Sequence, residues 1–252
     1  MTRLTLAFVA LALSGCAFMR SAAVPMPSVA HLAPPERHAR GLVVLMPGYG
    51  DGPDDFVERG FVERLAALDP AWDVIAADAH VGYYRGGFTV VERLHQDVIA
   101  PALTRGYEQV WLVGVSMGGY GALAYAMAHP ELVTGVIALA PYLGPSEVID
   151  QVRAAGGLRA WSAPDAAALS AIEDGERRHA TRLWTFLQAA AADPAAHPAL
   201  YFGVGRDDSL RPAVALVTAA LPDERSALHD GGHGWVVWRP LFEALLPRTL
   251  GP

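Results

Sequence analysis

The chain has 252 residues, enough for one sizeable α/β domain with a full hydrophobic core and short for two. With 52% hydrophobic and 18% charged residues it is too apolar to be disordered, and a net charge of −7 leaves no clustered basic footprint for nucleic acid. Lysine and asparagine are both absent, which excludes Schiff-base and P-loop lysine chemistry as well as N-glycosylation.

At the N-terminus Arg3 precedes an apolar run from Leu4 to Leu13, of signal-peptide length and too short to span a bilayer comfortably. Leu13-Ser14-Gly15-Cys16 follows and contains the sole cysteine, so no intrachain disulfide can form. This stretch resembles a bacterial lipobox. The resemblance implies a lipoprotein signal peptide over residues 1–15, a diacylated Cys16 as the mature N-terminus, and attachment to the membrane by lipid anchor. Ala17, where an aspartate would favour inner-membrane retention, points to the outer membrane of the cell envelope, facing the periplasm. An ordinary secretory signal cut elsewhere, or an uncleaved anchor, is the alternative. Residues 16–40 carry Pro25, Pro27, Pro34 and Pro35 without periodicity and are expected to form a tether.

Residues 41–252 read as one domain. Short apolar runs predict strands at Gly41–Met46, Trp72–Ala76, Gln109–Val115, Thr134–Ala140, Ala199–Val204 and Arg225–His229. Between them Val91, Leu94, Val98 and Ala102 share one helical face. This alternation predicts an α/β fold whose mostly parallel sheet has about six strands and helices on both faces. The interval from about 144 to 197 is too long for a bare loop. Ser162-Ala163-Pro164-Asp165 reads there as a capping box opening a helix, and Leu183, Trp184 and Leu187 mark another that ends before Pro194. A helical cap inserted over the carboxyl edge of the sheet is the simplest reading, two ordinary packing helices the plainer one. Trp161 and Trp184 are expected in the core of that cap.

Gly114-Val115-Ser116-Met117-Gly118 follows the apolar run Val110–Val113 and opens a helix rich in small residues. A nucleophile on a tight strand-to-helix turn needs side-chain-free positions two before and two after it, since a Cβ there would clash with the sharply turned backbone. The helix N-terminus then points at a developing oxyanion.

On these residues the chain resembles a serine hydrolase of the α/β-hydrolase superfamily, esterase- or lipase-like, over about residues 41–247. The resemblance implies the order nucleophile, acid, histidine. His233, in Gly231-Gly232-His233-Gly234, is the candidate base because glycines let the backbone carry an imidazole to the serine. His229 is its rival; the two glycines between them break the helix that a zinc pair at this spacing would need. Gly205-Arg206-Asp207-Asp208 followed by Pro212 resembles the family's acid loop, and that alignment selects Asp208, with Asp207 the alternative. The loser is expected at a helix N-cap or first turn. The resemblance also assigns the oxyanion donors: the amide of Met117 and that of Tyr49 in Pro47-Gly48-Tyr49-Gly50-Asp51-Gly52, where Pro47 replaces the family's usual histidine. Tyr83-Tyr84-Arg85-Gly86-Gly87 could line the cleft, with loop packing the plainer role.

The implied reaction is hydrolysis of a carboxylic ester through a Ser116-His233-Asp208 triad and an acyl-enzyme, with no cofactor and no metal. A small acyl ester is the implied partner. The same machinery would serve a thioesterase, a lipase or lysophospholipase, or an acyltransferase. A non-catalytic surface lipoprotein that binds through the fold is the reading from another class. The number of subunits is not legible.

Overall fold

The computed structural model describes residues 20–33, 39–68 and 72–250. Among them a single sheet has the strand order β1-β3-β2-β4-β5-β6-β7, with β1 Ser28–His31, β2 Gly41–Met46, β3 Trp72–Ala77, β4 Gln109–Val115, β5 Gly135–Leu139, β6 Ala199–Gly205 and β7 Ser226–His229. All neighbours pair in parallel except β1, which runs antiparallel to β3 with Val29 opposite Ala76. The six expected strands are all present to within one residue at either end. β2, β3 and β5 are buried along their whole length. Both faces of the central sheet are therefore covered, which is what parallel strands written as continuous apolar runs require.

A seventh strand joins the six expected ones at the sheet edge, and it comes from the segment expected as a tether. Residues 20–33 are held to the domain: Met26 is buried and its N–H donates to Asp97 at 2.8 Å, Tyr83 Oη donates to the Ala23 carbonyl at 2.9 Å, and the Ala33 N–H donates to Asp73 at 2.6 Å. Asp73, fully buried, also accepts from the Tyr107 hydroxyl and faces Arg105 at 3.2 Å, so its charge is compensated where the chain joins the sheet edge. Cys16 and the expected signal peptide lie outside the described residues.

The helices are α1 Pro53–Glu58, α2 Phe61–Leu68, α3, α4 Met117–Ala128, α5 Ser146–Ala154, α6 Ala166–Ser170, α7 Gly175–Ala192, α8 Arg211–Thr218 and α9 Trp235–Leu245. α3 runs Val90–Arg93, then a π turn over Leu94–Ile99, then Ala100–Leu103. The π turn shifts the register, so Ile99 joins Leu94, Val98 and Ala102 in the core while Val91 is only partly covered. α4 is buried from Gly118 to Ala126 and packs against β4 and β5.

Of the inserted helices, α5 and α6 each pack on α7, and α7 reaches α4. Their core holds Trp184, whose Nε1 donates to the Leu143 carbonyl at 2.8 Å, and Trp161, both buried as expected. One detail differs: the cap of α6 is Asp165, which accepts from the Ala168 N–H at 2.8 Å, not Ser162. Pro164 sits between them, and the residue before a proline is pushed to extended backbone, so the helix starts after it. Asp174 caps α7 in the same way, accepting from the Arg177 N–H at 2.8 Å.

Candidate active site

Four loops meet at the carboxyl ends of the strands: those after β2, β4, β6 and β7. The turn after β4 holds Ser116 at φ 53°, ψ −115°. For a residue other than glycine that backbone is strained, and the surrounding contacts hold it there. The two flanking glycines explain how. A Cβ on Gly118 would lie 2.1 Å from the Met46 carbonyl oxygen, and one on Gly114 would lie 2.3 Å from the Gly118 oxygen. Any side chain at either position would force β2 or α4 away and unmake the turn.

His233 reaches this serine from the loop after β7, its Nε2 accepting from Ser116 Oγ at 2.9 Å. Its Nδ1 donates to Asp208 Oδ2 at 2.7 Å, while Asp208 Oδ1 accepts from the Leu210 N–H at 2.8 Å. The carboxylate side chain is fully covered and the imidazole is partly open to solvent. A buried anion with both oxygens bonded has no rotamer freedom left, so the ring's orientation and tautomer are set. Gly205 makes this approach possible: a Cβ there would lie 2.3 Å from the Gly231 carbonyl oxygen, on the histidine loop.

The rivals fall away by position. Asp207 is exposed and caps no helix, since α8 starts after Leu210; the expected N-cap role is corrected. His229 ends β7, and its Nδ1 donates to the Asp230 carbonyl at 2.7 Å. No cluster of metal-ligating side chains occurs among the described residues.

Tyr49 and Met117 both border the cavity that opens at Ser116. The loop bearing Tyr49 is held by Asp51, whose N–H donates to the Gly48 carbonyl at 3.3 Å and whose Oδ1 accepts from Trp235 Nε1 at 3.2 Å. Burial holds the Asp51 carboxyl above its usual range, with the Trp235 hydrogen bond pulling the other way. Asp51 thereby ties the loop after β2 to the start of α9, two residues past His233. Trp235 sits edge-on to Phe56, Phe61 and Trp238, and Trp238 is edge-on to His233 at 5.0 Å.

The cavity measures about 740 Å³ and is lined by Tyr84 to Phe88, Tyr120, Tyr142 and the first turn of α7. Within the run expected chiefly to pack, Tyr83 does so, while Tyr84 to Gly87 border the cavity. From α7, Glu176 accepts from the Tyr142 hydroxyl at 2.7 Å, and the Tyr142 N–H donates to the Ser116 carbonyl at 3.0 Å. The cap is thus bonded to the residue that braces the backbone of Ser116. Sequence reading missed Asp51–Trp235, Tyr142–Glu176 and Phe88, because each pair joins segments far apart in the chain. The Gly86-Gly87 pair before Phe88 was the one local sign.

Residues 92–249 match the Esterase family. No curated protein matches the chain. Among solved structures, a ferulic acid esterase superposes with a TM-score of 0.59 at 18% identity, over 88% of this chain and 90% of that one. An S-formylglutathione hydrolase from Staphylococcus aureus gives 0.58 at 15% identity, over 86% and 90%. One from Agrobacterium tumefaciens gives 0.57 at 19% identity, over 88% of each chain.

Proposed function

The chain belongs to the Esterase family, and from that premise we propose that it hydrolyses a small carboxylic ester through an acyl-enzyme formed on Ser116. It is a hydrolase with the α/β-hydrolase fold. The observation that carries the finer reading is the unbroken hydrogen-bonded line from Ser116 Oγ at 2.9 Å to His233 and at 2.7 Å on to the buried Asp208.

A serine hydroxyl is a weak nucleophile, so as Oγ attacks the ester carbonyl His233 Nε2 takes its proton. Asp208 keeps Nδ1 protonated and stabilises the imidazolium that forms, without itself accepting the proton. The tetrahedral oxyanion sits at the N-terminus of α4, with the amides of Met117 and Tyr49 as donors. Collapse breaks the C–O bond and the imidazolium gives its proton to the leaving alcohol. Water then repeats the sequence on the acyl-enzyme, releasing the acid and restoring Ser116. On the reading of Cys16 as an acylated N-terminus, the domain works tethered to a bacterial membrane.

Labelling with a fluorophosphonate tests the proposal. One label per chain is expected, on the peptide containing Ser116, and lost in His233→Ala. A folded protein that takes no label, or takes it elsewhere, would overturn the reading. In Ser116→Ala, kcat for a p-nitrophenyl ester should fall by about 10⁴-fold or more.

A further inference from the structure

A row of rings leads away from Ser116. Tyr142, whose backbone N–H donates to the Ser116 carbonyl, sets its ring edge to face against Tyr120 at 5.7 Å, and Tyr120 meets Phe88 at 5.4 Å. Phe88 then stacks on His179 of α7 at 4.5 Å and 29°, and meets Tyr84 edge-on at 6.0 Å. Phe88 is the joint of this row, touching the domain body on two sides and the cap on the third. All five residues line the cavity that opens at Ser116.

The backbone that delivers this ring is unusual. Gly86, Gly87 and Phe88 have φ of 64°, 126° and 54° in succession. The glycines adopt such angles freely, but a bulky side chain at positive φ costs on the order of 1–3 kcal/mol. The contacts of the Phe88 ring hold the chain in that conformation, so the ring's place in the cavity is maintained against local preference.

We propose that Phe88 sets the acyl preference of the site: packed against His179, its ring narrows the aromatic side of the cavity, so that short or compact acyl groups are favoured beside Ser116 over long straight chains. This rests on the ester-hydrolase reading above. Removing the ring joins its volume to the cavity along the direction the row takes from the nucleophile. An acyl chain would gain apolar wall with each methylene that enters it.

The test is kcat/KM for p-nitrophenyl acetate, butyrate, octanoate and decanoate with wild type, Phe88→Gly, Phe88→Trp and His179→Ala. Phe88→Gly relieves the positive φ as well as the ring, so it is expected to fold. The octanoate-to-acetate ratio should rise about tenfold or more in Phe88→Gly, carried mainly by a lower KM for octanoate. It should rise in His179→Ala, which opens the same wall from the cap side, and fall in Phe88→Trp. Hydrolysis that is abolished in Ser116→Ala but keeps one ratio across the variants would overturn the wall and leave the esterase intact. Absent or Ser116-independent hydrolysis in the wild type would overturn both.

Discussion

Asp207 and Asp208 are chemically identical neighbours, and their surroundings divide them. One is exposed at a turn; the other is 4% exposed and bonds His233 and the Leu210 N–H with its two oxygens. Asp208→Asn preserves size and burial but lets an amide donate where the ring must, which favours the wrong imidazole tautomer. We expect kcat to fall about 10⁴-fold. Asp207→Asn should stay within about twofold of wild type, as surface changes do. Equal losses in both variants, read from p-nitrophenyl ester turnover, would contradict the assignment. Ser116 and His233 were legible in the sequence because tight turns demand glycine at fixed offsets, and offsets survive in one dimension. Choosing between the two aspartates needed the family's spacing as well, since burial is a property of the folded chain. Of the ring row only Tyr84 was legible, in a stretch that could line the cleft; Phe88, Tyr120, Tyr142 and His179 are brought together by the fold from four separate segments.

Among the elements, β2 to β6 were readable because strands covered on both faces are written as nearly unbroken apolar runs. β1 was not. It has four residues with alternating exposure, it pairs on one side only, and prolines stand close before it, all features of an edge strand that a sequence shares with a linker. The cap was legible as an interval and as helices, while its bond from Glu176 to Tyr142, in the loop after β5, was not. That bond gives the first turn of α7 a functional weight which the first turn of α6 lacks, since Glu176, Arg178 and His179 line the cavity and α6 contributes nothing to it. Asp174→Ala and Asp165→Ala each remove one N-cap and should each cost about 1 kcal/mol in urea unfolding at most. Only Asp174→Ala should raise KM for an ester, because it frays the turn that borders the substrate. A KM increase of the same size in both variants would mean that the α7 turn acts through cap stability alone.

At the scale of the whole molecule, no helix among the described residues is long and apolar enough to cross a membrane. The proposed attachment is by acyl chains at Cys16, so Cys16→Ser, expressed with its own leader, should leave the membrane fraction for the soluble one; unchanged sedimentation would count against the anchor. The other property of the whole chain is its response to acid. Burial is the leading cause that lowers the affinity of His80, His129 and His179 for protons, followed by Arg20 for the first, His95 for the second and Arg182 for the third. Geometry agrees: His80 Nδ1 accepts the Gly82 N–H at 3.1 Å and so is held unprotonated, and His129 stacks on His95 at 4.4 Å, where two positive rings would repel. A histidine lowered in the folded state binds fewer protons there than in the unfolded chain, whose histidines titrate near 6.5. Stability is then complete above that pH, falls as acid enters the window between the unfolded and folded values, and levels once the folded form is protonated too. The Tm should accordingly drop as pH falls from about 7.5 towards 5. His129→Gln should drop less over the same range, since it removes one of the titrating groups and the ring beside His95. A variant whose Tm follows the wild-type slope would show that this pair contributes nothing to the acid response, leaving it to His80 and His179.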